Sequence, residues 1–323
     1  MTDQSTEANA RVGQRLLRDE PDAFDALRDL AAGHHQVDPG AIEKDYWATE
    51  VLRSATAPID GVEQFVFKGG TSLSKAYRII ERFSEDVDLL VISDLTGNAL
   101  KRLLRNVAAR TGEELRLHHE RETEGRGFLN ARFEYSARRE VEILSSGVLL
   151  EMGSRGGPLP NEALEVASLM SAAAEIENQT AVLDYADLAP FPVIVLAPER
   201  TLAEKLAFLH HRSSNADLEA LTRGARHLYD VAMLLRSDRV LASLVGGTIV
   251  ELMEDVDARS AAAGWPYTPR PDGGFADSPA FGGDPAVVGA LREGYERLTP
   301  LVWGPLPAFD EVVDIVRSHR ELI

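Results

Sequence analysis

The sequence contains no cysteine among its 323 residues. That absence excludes disulfide bonds, thiolate nucleophiles and every zinc site that uses cysteine ligands. The sequence also has no run approaching the roughly 20 consecutive apolar residues that a membrane-spanning helix needs. Its first residues contain no apolar stretch of the kind found in signal peptides. We therefore expect a cytoplasmic protein without a membrane partner.

Positive charge is also scarce, since 34 Lys and Arg residues face 52 Asp and Glu residues, for a net charge of −18. Such a surface repels polyanions as a whole, so an RNA partner would need a local basic patch. Only five of the cations are lysines, which indicates that arginine is the default surface cation in this chain. Each lysine is therefore a candidate for a role that arginine cannot fill. The five are Lys44, Lys68, Lys75, Lys101 and Lys205.

What is present is typical of a folded globular protein, with 44% apolar and 27% charged residues. Strand and helix patterns alternate in the first half, whereas the second half is dominated by helical patterns. These patterns predict an α+β fold with a small mixed sheet. We place an N-terminal helical segment at 1–57, an α/β core at 58–160 and a mainly helical domain at 161–323. Residues 264–285 are rich in Gly and Pro and predict a long surface loop.

A short apolar run ends at Lys68 and is followed by Gly69, Gly70, Thr71 and Ser72 at the start of a helical pattern. Backbone N–H groups at such a turn favour phosphate oxygens, and the two hydroxyls add hydrogen-bond donors. The spacing does not match a Walker loop. A plain helix cap is the alternative interpretation.

Asp86 and Asp88 lie on the next predicted strand, two residues apart, so their side chains share one face. Two adjacent carboxylates repel each other unless a cation lies between them, and Mg²⁺ is the usual occupant in phosphoryl and nucleotidyl transfer. A solvated pair at the sheet edge is the alternative. The wholly apolar run 89–92 argues against an edge position.

Glu151 lies within another apolar strand pattern, where an unpaired carboxylate would be costly. We place it as a third metal ligand. Pairing with Arg155 is the alternative.

Together these segments resemble the polymerase β-like nucleotidyltransferase superfamily, and more narrowly the AbiEii/AbiGii toxin family of bacterial abortive-infection (phage defence) toxin–antitoxin systems. The superfamily resemblance rests on the Gly-Gly-Thr-Ser turn and the Asp-x-Asp strand. The narrower one rests on six separated blocks: EKDYWATEVL (43–52), FKGGTSLSKAY (67–77), RFSEDVDLLV (82–91), GVLLEMGSRGGPLP (147–160), ERTLAEKLAFLHH (199–211) and RHLYDVAMLL (226–235).

The resemblance implies a role for each matching residue. It implies that the Gly69–Gly70–Thr71–Ser72 turn holds the nucleotide phosphates, that Lys68 neutralises the triphosphate, and that Asp86 and Asp88 bind the metal. It also implies that Lys205 and Asp230 contribute to catalysis from the helical half. Glu151 does not come from the family pattern and remains a placement of our own.

The residues around Lys205 and Asp230 support a pairing. Asp230 lies between apolar neighbours and needs a partner, for which Lys205 is the first candidate and Arg226 the competitor. The helical pattern places Glu204 and Lys205 at the start of the polar side of their helix. A purely structural salt bridge between two helices is the alternative.

A stretch of arginines interleaved with aromatics is a candidate for RNA contacts. Its members are Arg121, Arg126, Arg132, Arg138 and Arg139 with Phe128, Phe133 and Tyr135. Several glutamates dilute this stretch, which favours the alternative of an exposed strand pair.

The resemblance implies a Mg²⁺-dependent toxin that transfers a nucleotide from an NTP to a tRNA 3′ end and is paired with a cognate antitoxin. Two alternatives remain open at this point. One is a nucleotidyltransferase for a small molecule or protein, and the other is a catalytically idle member that binds a partner.

Overall fold

The computed structural model describes residues 15–84, 86–138, 145–154, 156–178 and 184–323. Within these residues, seven strands form one mixed sheet. They are β1 (Gln64–Lys68), β2 (Asp86–Ile92), β3 (His118–Gly125), β4 (Phe128–Glu134), β5 (Val148–Gly153), β6 (Asn161–Val166) and β7 (Phe191–Leu196). No helix in this part of the chain is long and apolar enough to cross a membrane.

The strands lie in the order β3-β4-β5-β2-β1-β7-β6. β2 pairs in parallel with β5, and β1 with β7, while β4 is antiparallel to both β3 and β5. The predicted strand after Ser84 is thus the central β2, and Leu89, Leu90 and Val91 are buried on it. An apolar run of this kind is typical of a central strand, which has a neighbouring strand on each side.

Twelve α-helices occur in the described ranges. They are α1 (Pro21–His35), α2 (Pro39–Ala55), α3 (Gly69–Lys75), α4 (Gly97–Leu115), α5 (Leu169–Ile176), α6 (Pro198–Ser214), α7 (Leu218–Gly224), α8 (Arg226–Leu235), α9 (Asp238–Leu244), α10 (Thr248–Ala263), α11 (Pro285–Glu296) and α12 (Phe309–Ser318). The predicted α+β class is confirmed.

The chain divides into two compact units. The first holds the described residues of 15–67, 84–154 and 163–195, and the second holds those of 68–83, 156–162 and 196–323. One apolar cluster of the first unit joins α1, α2 and α5 through Phe24, Tyr46 and Met170. Asp187 fixes the entry to α1, because its carboxylate accepts from the backbone N–H of Leu17 (2.8 Å) and from the Tyr46 hydroxyl (2.5 Å).

The core of the second unit is formed mainly by helices α6 to α12. Leu202, Leu206 and Leu209 of α6 lie in one cluster with Leu228 and Val231 of α8. Every third or fourth residue of α6 is therefore apolar and buried, as a helix that buries one face requires.

These units differ from the boundaries predicted at 58 and 161. β6, α5 and β7 follow residue 161 but contribute mostly to the first unit, because β7 completes a parallel pair with β1 that only the folded sheet reveals. Residues 68–83 precede that boundary and yet belong to the second unit.

Residues 264–285 are not simply a surface loop. They contain two short 3₁₀ helices, Phe275–Asp277 and Pro279–Phe281. Phe275 and Phe281 are buried in the core of the second unit. The burial of Phe275 and Phe281 could not be predicted from the sequence, because isolated aromatic residues in a segment rich in Gly and Pro form no periodic pattern.

Candidate active site

Asp86 and Asp88 occupy the same face of β2. Both are partly exposed, whereas Val87 between them and Leu89 after them are buried. This alternation is the one that the sequence predicts, because successive side chains of a strand point to opposite faces. The two carboxylates therefore lie side by side along β2, on a face that leaves both of them partly exposed.

Glu151 extends this pair across the sheet. Its Cα is the register partner of Asp88 in the parallel β2–β5 pair. On its other side it is the partner of Asn130 in β4, whose amide donates a 2.6 Å hydrogen bond to Glu151 Oε1. Partners in register share a face, so Asn130, Glu151 and Asp88 form a row of oxygen-bearing side chains across three strands.

The donor chemistry of this row suits Mg²⁺, which takes oxygen ligands and commonly uses only one or two carboxylates together with water and phosphate. Within the described residues, no three His, Asp or Glu side chains are gathered closely enough to hold a metal ion by themselves. Asp86 and Asp88 fit the smaller ligand set. The third-ligand role of Glu151 stays a prediction, and one of its oxygens is already engaged by Asn130.

In the second unit, the predicted Gly-Gly turn connects β1 to α3. Gly69 has a φ of 77°, a backbone conformation that glycine adopts without strain. The Ser72 hydroxyl is buried and donates to the Gly69 carbonyl oxygen at 2.9 Å. This is a contact within the first turn of the helix and not an N-cap, because a capping side chain accepts from a backbone N–H. Phosphate binding by Gly69 to Ser72 stays a prediction that rests on their backbone N–H groups.

Lys68 is the last residue of β1 and is partly exposed. Its Nζ lies 3.3 Å from Oε2 of Glu204, and the side chains of both residues are 29% exposed. Arg200, one helical turn before Glu204, contacts the other oxygen of that carboxylate at 3.4 Å and binds Asp255 at 2.6 Å. Lys68 is thus the partly exposed end of a chain of alternating charges.

A pocket of about 480 Å³ opens beside Lys68 within the second unit. Its walls come from α6, α10 and the segment that follows α10. Its charged and aromatic lining consists of three aromatic side chains, four cations and two carboxylates, namely Phe208, Trp265 and Tyr267, Lys68, Arg200, Arg212 and Arg259, and Glu204 and Asp257. Trp265 and Tyr267 are 44% and 40% exposed, which is unusual for rings of this size.

The predicted Lys205–Asp230 pair forms, with Nζ 2.7 Å from Oδ2. Lys205 is not on the polar side of α6 as the helical pattern indicated. It is only 6% exposed, and Asp230 is fully buried. A second cation, Arg82, binds the same carboxylate through Nε to Oδ1 and Nη2 to Oδ2, both at 2.7 Å. The interaction is therefore a buried cluster of three charges.

The cluster changes the protonation behaviour of its members. Burial disfavours ionisation of Asp230, but the attraction of Arg82 and Lys205 outweighs it and holds the pKa of the carboxyl well below its usual range. Burial lowers the pKa of Lys205, and Arg82 lowers it further. Burial and the nearby Lys205 also keep the pKa of His227 well below its usual value. The neutral His227 ring places Nδ1 3.2 Å from Lys205 Nζ and can accept its hydrogen bond.

Sequence reasoning missed Arg82, although this residue begins the block RFSEDVDLLV. Its partner lies 148 residues away along the chain. The sequence shows an arginine just before the acidic strand, but it does not show toward which part of the protein that side chain points. The aromatic pocket was also missed, because its rings come from separate segments.

The arginine-rich stretch offers less to RNA than its composition indicates. Phe133 is fully buried, and Tyr135 stacks on Trp47 with the ring centroids 5.6 Å apart. Arg132 pairs with Glu122, and Arg121 lies 3.7 Å from Glu124. Arg139 lies outside the described residues, as does Arg155, the alternative partner of Glu151. Phe133 is therefore not available to stack on a base.

A family model described as "Nucleotidyl transferase AbiEii toxin, Type IV TA system" matches residues 51–314. That range includes the β1 turn, the acidic strand β2 and the buried Lys205 cluster. The protein is thus a nucleotidyltransferase. Since the match spans most of the chain, the chain belongs to the AbiEii family of toxins from type IV toxin–antitoxin systems.

Among solved structures, the chain is similar to MenT4, a nucleotidyltransferase toxin from Mycobacterium tuberculosis H37Rv, with 20% identity and a TM-score of 0.48. That alignment covers 91% of this chain and 88% of MenT4. JHP933 from Helicobacter pylori is 12% identical with a TM-score of 0.43, and the alignment covers 88% of this chain and 95% of JHP933. None of the curated protein sequences compared with the chain matches it.

Proposed function

We propose that this toxin transfers a nucleotide from an NTP to the 3′ end of a tRNA, that Mg²⁺ assists the reaction, and that a cognate antitoxin counteracts it. In such a transfer an acceptor hydroxyl oxygen bonds to the α-phosphorus, the bond to the β-phosphate oxygen breaks, and pyrophosphate leaves. The family membership supports the toxin and the antitoxin. The metal, the donor and the acceptor are our proposals.

The observation that carries the proposal is the row of oxygen ligands on β2 and β5. Asp86 and Asp88 share a face of the central strand, and Glu151 stands in register beside Asp88. Asp86 and Asp88 would hold Mg²⁺, which would neutralise phosphate charge and polarise the phosphoryl oxygens.

The pocket beside Lys68 supports a nucleotide as donor. Exposed aromatic rings provide stacking surfaces for a base, and this preference is tolerant of base identity. Arg212 lies over the Phe208 ring at 5.6 Å, so the aromatic wall also carries positive charge. Lys68 lines the same pocket, and in this proposal its ammonium compensates the charge of the phosphates.

The tRNA acceptor rests on the family resemblance alone. The strand pair β3–β4 retains one exposed ring, Phe128, at 41% exposure. Its arginines are partly neutralised by glutamates, so no acceptor surface is assigned to it.

The test is to incubate the purified protein with each α-labelled NTP and total RNA, with Mg²⁺ or with EDTA. We expect label in RNA of tRNA size with at least one NTP, abolished by EDTA and restored by added Mg²⁺. An Asp86→Asn variant serves as the inactive control. Label on a protein or small molecule instead would overturn the acceptor, and no label with any NTP would favour the idle, partner-binding member.

Lys68→Ala should reduce transfer more at limiting than at saturating NTP, because the ammonium contributes to nucleotide binding. Lys101→Ala is the matched control, since Lys101 is a partly exposed lysine paired with Glu124 at 3.3 Å. Glu204→Gln separates the loss of the ammonium from the loss of its partner and should have a small effect. Initial rates across a range of NTP concentrations measure this. Equal losses at both concentrations would instead assign Lys68 to the chemical step.

A further inference from the structure

Arg82 makes more contacts with the Asp230 carboxylate than Lys205 does. Its guanidinium binds both carboxylate oxygens, whereas Lys205 contacts Oδ2 alone. A bidentate pair of this kind fixes the plane of the carboxylate as well as its position. Arg82 therefore orients the Asp230 carboxylate. The position of Oδ2 in turn fixes the direction of the Lys205 ammonium that contacts it.

The backbone around Arg82 is itself fixed. Arg82 Nη1 donates to the Phe83 carbonyl oxygen at 2.9 Å, and Arg82 forms an isolated β-bridge with Val302. The Phe83 backbone N–H donates to the Leu301 carbonyl oxygen at 2.8 Å. The Phe83 ring packs on Trp303 with the centroids 4.6 Å apart. These contacts give the guanidinium a rigid support.

Two cations share the Asp230 carboxylate. Arg82 binds both of its oxygens, so the ion pair of Lys205 is with one oxygen that it shares with Arg82. Two other groups act on Lys205. The positive charge of Arg226 disfavours protonation of Lys205, and the neutral His227 ring lies within hydrogen-bond distance of its Nζ. Of the three N–H bonds of an ammonium, one is directed to Asp230 and one can be accepted by His227, which leaves one for another group.

We propose that Arg82 is a positioning residue for nucleotide transfer, which holds Asp230 so that Lys205 keeps a fixed direction and an incompletely neutralised ammonium for an anionic group of the substrate. This inference rests on the proposed function. Arg82 itself need not touch substrate, because it acts through the carboxylate. A merely structural Arg82 would hold α8 to the 68–83 segment and leave the reaction unaffected.

The test compares Arg82→Gln and Arg82→Lys with the wild type by kcat, by the pH dependence of kcat and by thermal unfolding. Without the guanidinium, Asp230 compensates Lys205 alone, so the pKa of Lys205 rises. The limb of the pH profile that reports Lys205 should move to higher pH by about one unit. We expect kcat to fall roughly 10- to 100-fold at the wild-type optimum because Asp230 is no longer oriented.

Arg18→Gln is the matched control, since Arg18 is a buried arginine that binds Glu50 at 2.7 Å in the first unit. It should lose stability yet keep the wild-type pH profile. In an Asp230→Asn background, Arg82→Gln should cost little further activity, because the two residues act in series. If Arg82→Gln does not fold, Arg82→Lys decides the matter, since it keeps the charge and loses the bidentate contact.

Wild-type kcat and pH profile in Arg82→Lys would overturn the inference, as would a loss of activity that simply follows the melting temperature. The wild-type arm separates the two proposals. An inactive wild type overturns the proposed function and this inference with it. An active wild type with unaltered Arg82 variants overturns the inference alone.

Discussion

Lys205→Met should abolish most nucleotide transfer and leave the protein folded, whereas Asp230→Asn should unfold it far more readily. After Lys205→Met, Asp230 keeps both hydrogen bonds from its bidentate partner Arg82. After Asp230→Asn, two buried cations lose their shared carboxylate, at a cost of about 3–5 kcal/mol. Thermal unfolding and labelled-NTP transfer on the same preparations measure both effects.

Lys44→Met is the control for removing a buried lysine. Lys44 is 4% exposed, and its Nζ donates to the Ser145 carbonyl oxygen at 2.7 Å in the first unit. That variant should keep its transfer activity relative to the amount of folded protein. Full activity in a folded Lys205→Met variant would reduce the Lys205–Asp230 pair to a structural salt bridge.

Asp86→Asn and Asp88→Asn should each lower transfer by about 10³-fold or more, because each removes a metal-binding oxygen. Their melting temperatures should stay close to that of the wild type. Both side chains are partly exposed, and asparagine has nearly the size of aspartate, so each substitution changes the charge without leaving a cavity.

Asp94→Asn is the matched control, since Asp94 is an exposed aspartate just beyond the end of β2. It should leave both transfer and stability unchanged. A folded Asp86→Asn variant that still transfers label would remove the metal site from this strand. A marked loss of stability would show that the carboxylates are engaged in the fold itself.

The acidic strand could be predicted from the sequence because the pattern that defines it lies within a few consecutive residues. Alternation of Asp86, Val87 and Asp88 fixes which side chains share a face, and the apolar residues that follow fix the central position. Glu151 could be placed on a strand but not in a row, since its register beside Asp88 depends on how two distant strands align.

The Lys205 cluster could be predicted only in part. A buried aspartate needs a cation, and the sequence offered Lys205, but nothing local excluded or named Arg82. Periodicity also misplaced Lys205 on the polar side of α6, because the sequence does not distinguish a charged residue that is buried with a partner from one that is exposed to water. Charge pairs between distant segments are a property of the folded chain.

The path of the chain between the two units has a consequence for synthesis. The chain passes from one unit to the other five times. During synthesis, Arg82 is made 148 residues before its partner Asp230. At roughly 5–20 residues per second, that interval lasts on the order of 10–30 seconds. The backbone partner of Phe83, Leu301, emerges later still. The Lys205 cluster can therefore assemble only after Asp230 has been synthesised, and the backbone support beside Arg82 only after Leu301, so a growing polypeptide lacks this part of the candidate active site until then.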